Sequence, residues 1–163
     1  MRMECAACGC VVDRGVRLVA CANAACCCAQ LPDEAMVALA QRVSNAWASA
    51  DLDAIRDLLA ANATWGAPEQ AVPSCRNRSH VLKWYEAATG AGERATIYES
   101  TAYANAIVIG LNVSGISHAE GDESQVRWQA LSVRDGLISE IRGYESRDEA
   151  QEFVTSMTSQ WSD

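Results

Sequence analysis

Seven of the eight cysteines in this chain of 163 residues fall within its first 28: Cys5, Cys8, Cys10, Cys21, Cys26, Cys27 and Cys28. Clustered thiols outside an oxidising compartment bind metal more readily than they pair as disulfides. Cys5-Ala-Ala-Cys8-Gly9 has the form of a knuckle, its glycine letting backbone amides turn toward thiolate sulfur. After twelve intervening residues, Cys21-Ala-Asn-Ala-Ala-Cys26 offers a second pair. Val11-Val12 and Val16-Arg17-Leu18-Val19 are β-prone arms around Asp13-Arg14-Gly15, which reads as a hairpin turn. Knuckle, hairpin and knuckle together bring Cys5, Cys8, Cys21 and Cys26 around one tetrahedral Zn²⁺.

Residues 5–28 therefore resemble a zinc ribbon, in which the metal supplies the folding energy that so short a segment lacks. The second knuckle departs from the usual two-residue spacing, and Cys27 or Cys28 can stand in for Cys26. With Cys10, the Cys26-Cys27-Cys28 run exceeds the needs of one zinc. Cu(I), a two-metal site, an iron–sulfur cluster or redox use stays open, as does a reduced tail whose thiols pack as small apolar groups.

Beyond this cluster, chemistry-bearing residues are sparser. Glu140 and Arg142 stand two apart on an expected strand and so share a face, and Arg127 can join them from the neighbouring strand. Gln129 alternates with Leu131 and Val133, which need burial. Cys75 lies between expected elements, and the flanking Arg76 and Arg78 would lower its thiol pKa. His80 begins a helix and His118 adjoins a turn, so both are expected to face solvent. Asp122 and Asp135 sit where turns call for aspartate on backbone grounds alone.

The elements that must hold these residues follow from periodicity. Pro32-Asp33-Glu34 opens a helix, and Met36, Leu39, Ala40, Val43, Ala46 and Trp47 recur at helical spacing to about Ala50. Asp51 caps a shorter helix carrying Leu52, Ile55, Leu58 and Leu59. Ala63-Thr64-Trp65 reads as a short strand, and Gly66 to Asn77 as a loop. Ser79 is the expected cap of a third helix reaching about Ala88, in which Val81, Leu82, Trp84 and Tyr85 are available for packing. Strands are expected over Arg94–Ala104, Ala106–Ser117, Gln125–Arg134 and Leu137–Tyr144, the last two joined by an Asp135-Gly136 hairpin turn. A terminal helix spans Arg147 to about Met157. Three helices followed by an antiparallel meander make an α+β arrangement, here a strongly bent sheet leaving a cone that can take a small molecule.

Three segments make the resemblance specific. They are Val43-Ser44-Asn45-Ala46-Trp47-Ala48-Ser49-Ala50-Asp51-Leu52-Asp53-Ala54-Ile55-Arg56-Asp57-Leu58-Leu59, then Ala63-Thr64-Trp65, and Val133-Arg134-Asp135-Gly136-Leu137-Ile138-Ser139-Glu140-Ile141-Arg142-Gly143-Tyr144. Through them residues 35–155 resemble the nuclear transport factor 2-like superfamily, in particular its SnoaL-like branch. This divides the chain into a Cys-rich module at 1–30 and a SnoaL-like domain at 31–163. The fold hosts isomerases, cyclases, epoxide hydrolases, dehydratases and non-catalytic binders. The ketosteroid-isomerase set does not carry over: Ala67 takes the place of the general base, Val43 that of the oxyanion tyrosine, and Gln129 approximately that of the second oxyanion donor. Alanine cannot take a proton and valine cannot donate one. For the Asp-Arg-Asp arrangement of the epoxide hydrolases, only Glu140 with Arg142 offers a partial match. The acid or base of the cyclases would fall to His80 or His118.

The resemblance implies an enzyme acting on a small, largely apolar organic substrate, with Gln129, Glu140 and Arg142 as catalytic candidates. Trp47, Trp65, Tyr98, Asn112, Gln129 and Leu131 are the expected cavity residues. Alternatives are a non-catalytic binding or interaction module and a thiol-rich metal or sulfur carrier. A homodimer is expected across the open sheet face, since some of Ile107, Ile109, Trp128 and Ala130 must point outward by alternation. The formal charge of −8 argues against nucleic-acid and anionic-membrane partners. Leu18-Val19-Ala20-Cys21 resembles a lipoprotein cleavage box, yet Asp13, Arg14 and Arg17 interrupt the apolar run an export signal needs, and a cytoplasmic protein is expected.

Overall fold

The computed structural model describes residues 2–4, 11–13, 34–67, 72–115 and 125–159. The seven N-terminal cysteines, His118 and Asp122 lie outside them. Near the N-terminus, β1 (Arg2–Glu4) pairs antiparallel with β2 (Val11–Asp13), Arg2 facing Asp13 and Glu4 facing Val11. The expected pairing of Val11-Val12 with Val16–Val19 falls on undescribed residues.

Two helices open the main domain. In α1 (Glu34–Ser49), Met36, Leu39, Ala40, Val43, Ala46 and Trp47 form the buried stripe. The helix stops because Ala50 adopts a left-handed conformation with φ 51°. The Ala50 amide then bonds the Trp47 carbonyl and the Asp51 amide that of Ala46, which satisfies carbonyls the helix end would orphan. Asp51 caps α2 (Leu52–Leu58) by accepting from the Ala54 amide. β3 (Leu59–Gly66) follows with no intervening loop. It is longer than the three-residue strand expected, because Leu59 leaves the helix and enters the sheet. Asn77 rather than Ser79 caps α3 (Arg78–Gly90), its side chain accepting from the His80 amide.

The remaining strands are β4 (Arg94–Ala102), β5 (Ala106–Ser114), β6 (Gln125–Arg134) and β7 (Leu137–Tyr144), and α4 (Arg147–Ser159) follows them. Asp135 and Gly136 both take positive φ, 53° and 75°, which is the tight hairpin turn their sequence announces. Five strands form one curved sheet in the order β3-β7-β6-β5-β4, antiparallel except where β3 runs parallel to β7.

Two cores lie on opposite faces of this sheet. The inner one packs α1, α2 and α3 against Ile107, Ile109, Leu111, Leu131, Ile138 and Ile141. The outer one sets Ala150 and Val154 of α4 on Ala106, Val108, Trp128 and Ala130. This corrects the argument for an open dimerisation face. Ile107 and Ile109 point into the cone, while Trp128 and Ala130 are buried within the single chain. Tyr98 and Val126, each about half exposed, are the large apolar groups left open on that side.

Candidate functional site

Alternation along β6 sends Gln129, Leu131 and Val133 inward, and the register confirms it, because Leu131 opposes Ile107 and Ile141. Gln129 is only 7 % exposed. Its Oε1 lies 3.5 Å from the Tyr85 hydroxyl, which in turn accepts from the Trp47 indole N–H at 3.1 Å. With its oxygen receiving that proton, Tyr85 directs its own O–H at Gln129. These bonds cross from α1 through α3 to β6, so three elements fix the amide.

Burial pushes the Tyr85 hydroxyl up to about 12, partly opposed by its bonds to Trp47 and Gln129. Tyr85 therefore stays a neutral donor at neutral pH. The sequence pattern identified it only as a packing residue. Its position one residue after Trp84 on a helix facing the cone was the available signal.

Trp65, on β3, brings a second polar group to the same wall. Its ring stacks on Trp84 with centroids 4.6 Å apart, and Trp84 meets Tyr85 edge-on at 5.1 Å. The indole N–H of Trp65 is buried and has no hydrogen-bond partner among the described residues. Gly143 directly opposes Gln129 across β6 and β7. A Cβ at Gly143 would meet only Trp65 Cζ2, at 3.9 Å, so the missing side chain leaves space between indole and amide.

These groups open onto a cleft of about 900 Å³. Its inner wall includes Trp65, Ala67, Trp84, Leu111 and Gln129, and it continues round the end of β7 to Tyr144 and Phe153. Glu93, Glu145, Glu149 and Glu152 line it too, against Arg127, giving the rim a negative balance. Glu93 is the half-buried member of the four.

Several expected site residues are elsewhere. Tyr98 and Asn112 face the back of the sheet. A Cβ at Gly110 would press against Trp128 and Tyr98 at 3.0 Å, which places both rings over the outer face of β5. Tyr98 is also an inserted residue: Ile97 pairs with Leu111 and Glu99 with Gly110, leaving it no cross-strand partner. Asn112 alternates with the inward Leu111, and its Oδ1 is buried without a partner among the described residues.

Glu140 and Arg142 do share a face, but it is the outer one. They oppose Ser132 and Ala130, form an ion pair, and Arg142 lies 4.7 Å over the Phe153 ring of α4. The shift that sends them there is the extra residue Ser139, inserted between the pairs Val133–Ile138 and Ser132–Glu140. Neither side chain reaches the cone.

Cys75 is buried and free, joined to Trp65 by two backbone hydrogen bonds of 3.0 Å. Burial pushes its thiol up, opposite to the lowering expected from Arg76 and Arg78. His80 is exposed at the start of α3. Among the described residues no group of three or more side chains could hold a metal. No described helix is long and apolar enough to cross a membrane.

No curated protein matches the chain in sequence. Solved structures match its fold. A proposed polyketide cyclase from Sinorhizobium meliloti is 19 % identical with a TM-score of 0.54, the match covering 68 % of this chain and 99 % of that one. A Catenulispora acidiphila protein with a ketosteroid isomerase-like fold, in complex with trimethylamine, is 18 % identical at 0.53, over 67 % and 85 %. An epoxide hydrolase from M. tuberculosis, of the LEH-like type, is 14 % identical at 0.54, over 75 % and 90 %. At these identities the likeness is one of fold. The SnoaL-like domain model matches residues 40–141, more than half the sequence, and the chain belongs to that family.

Proposed function

We propose that the chain is an enzyme that takes a small, largely apolar organic molecule into the cone and activates it through one of its oxygens. The observation carrying this reading is the line Trp47–Tyr85–Gln129, which ends in a buried amide on the cleft wall. Tyr85 donates to Oε1, and that withdraws electron density from the amide and makes its N–H bonds better donors. A carbonyl oxygen held there gains stabilisation as it becomes an enolate. The C–H bond next to the carbonyl breaks, its electrons move to that oxygen, and the proton passes to a carboxylate of the cleft rim. Isomerisation, cyclisation and dehydration of a ketone all use this step. Ala67, at the position the resemblance gives to a base, supplies none, so the base must come from the rim.

The test uses 2-tetralone, a neutral bicyclic ketone, in D₂O. Deuterium should enter the carbon between ring and carbonyl faster with the protein than with buffer, and more slowly with Tyr85→Phe. A ketone that binds without accelerated exchange favours the second reading, a non-catalytic small-molecule binder, to which the lack of a carboxylate at Ala67 lends support.

For the N-terminal segment we propose one structural Zn²⁺ held by Cys5, Cys8, Cys21 and Cys26. The two-knuckle spacing supports it, as does the β1–β2 pairing, which brackets residues 5–10 and hence the first knuckle. Elemental analysis after purification without chelator should return one zinc per chain. Seven freely reactive thiols and no stoichiometric metal would reject it. A homodimer, if formed through the sheet, must use the strip around Tyr98 and Val126 that α4 leaves open, and light scattering reporting 17.5 kDa would exclude it.

A further inference from the structure

The geometry points to an oxygen-binding subsite made by the indole N–H of Trp65 and the amide Nε2 of Gln129 over Gly143, one that selects a ketone and rejects a carboxylate. This inference rests on the reading of the cone as a ligand cavity, and names the kind of oxygen it takes.

Trp65 Nε1 is a donor and nothing else. It is buried, without a partner among the described residues, on a wall of the cleft. A buried donor left unmade is costly, so its position calls for an acceptor. Gln129 is 7 % exposed and spends Oε1 on Tyr85, so its Nε2 hydrogens are what it can offer a ligand. The two donors come from the strands on either side of Gly143. Cζ2, on the same edge of the indole as Nε1, is 3.9 Å from where a Gly143 Cβ would lie, and Gly143 opposes Gln129. The absence of a side chain there leaves room for an atom of the ligand.

Two donors alone would accept a carbonyl, a carboxylate or a phosphate oxygen. The rim decides between them. Glu145, Glu149 and Glu152 line the part of the cleft that runs round the end of β7, and Glu93 and Arg127 line the rest, so the cleft as a whole is negative and a ligand entering with a negative charge meets repulsion that a neutral ketone does not.

The experiment compares three molecules of one shape with the full chain: 2-tetralone, tetralin, and tetralin-2-carboxylate. Binding is followed by ¹H–¹⁵N NMR of the tryptophan indoles, with Trp65 assigned through its contact with Gly143. Tetralone should bind about tenfold more tightly than tetralin, and at least tenfold more tightly than the carboxylate. It should move the Trp65 indole proton downfield, and tetralin should not. Trp65→Phe keeps a ring and removes the donor, and should bring tetralone down to the affinity of tetralin while leaving tetralin unchanged. If that variant does not fold, the wild-type indole shift decides. An indole signal unmoved by saturating tetralone, or a carboxylate bound as tightly as the ketone, overturns the subsite. If tetralone and tetralin bind equally with the signal still, the subsite falls and the cavity stands. If neither binds, the cavity reading falls and takes the subsite with it.

Discussion

The two faces of the sheet are cut from the same strands and have opposite characters. Inward, β5 and β6 present Ile107, Ile109, Leu111 and Leu131, with Gln129 as the buried polar side chain whose partner is another side chain. Outward, the same strands present Ala106, Val108, Trp128 and Ala130, which α4 covers, while Glu140 and Arg142 of β7 pair beside it. The inner face holds a polar group at the end of a hydrogen-bonded line and next to open space. The outer face pairs Glu140 with Arg142 and packs α4 over its centre. Parity along a strand therefore decides which residues can do chemistry here, and residue type alone does not.

The two faces should differ most in how much they contribute to stability. Leu131 is 0 % exposed among α-helical and strand side chains of the inner core. Leu131→Ala should cost about 2–5 kcal/mol, since it removes buried methyl groups and leaves a cavity. Val154→Ala, in the outer core, deletes less and should cost about 1–2 kcal/mol. Urea denaturation of both variants measures this. Equal losses would mean that α4 is as integral to the fold as the cone.

Chemistry should divide more cleanly than stability. Gln129→Leu keeps the shape of the inner wall and removes the amide. It should slow deuterium exchange into 2-tetralone by roughly 10²-fold, the scale of losing an oxyanion donor. Glu140→Gln, on the other face, should leave the exchange rate within about twofold, a change below 0.5 kcal/mol. A large loss in Glu140→Gln with Gln129→Leu intact would reverse the assignment of the faces.

Tyr85 gives the inner face a pH signature. Its folded pKa of about 12 lies above the ordinary tyrosine value of 10. The raised value means that folding favours the protonated form. The associated stability is fully present below pH 10 and is lost as pH rises toward and through 12, by about 2–3 kcal/mol in all. Wild type should lose stability over that window more steeply than Tyr85→Phe, which has no proton there to lose. Parallel curves for the two would place Tyr85 in solvent contact.

Much of this arrangement is legible from the sequence. The α1–α2 corner follows from Asp51 and the flanking apolar spacing, and the β6–β7 hairpin from Asp135-Gly136. Alternation puts Gln129 on one face with Leu131 and Val133, and the register that the resemblance implies turns that face inward. What alternation could not show is where the register slips. The insertions at Tyr98 and Ser139 carry no glycine or proline to mark them, and each changes which neighbours face which side. Tyr85 was indistinguishable from an ordinary helical packing residue, because its role depends on Trp47, 38 positions away, and Gln129, 44 positions away. The docking of α4 on the back of the sheet is likewise a tertiary event. Its own sequence says only that one side of it is apolar.

The smallest expected effect tests whether the outer pair is structural. Arg142 contacts Glu140 and lies over Phe153, with its side chain 37 % exposed and that of Glu140 32 % exposed. At such exposure water screens the ion pair, and an exposed cation over a ring contributes about 0.5–1 kcal/mol. Arg142→Leu retains apolar contact with Phe153 while losing both charge interactions. Denaturation should report a loss of under about 1 kcal/mol, reduced further at high salt because the wild-type pair weakens there. Exchange into 2-tetralone should be unchanged, since Ala130, which Arg142 opposes, faces away from the cone. A fall in exchange rate without a fall in stability would show that the back of the sheet acts on the cavity, and would remove the distinction between the two faces.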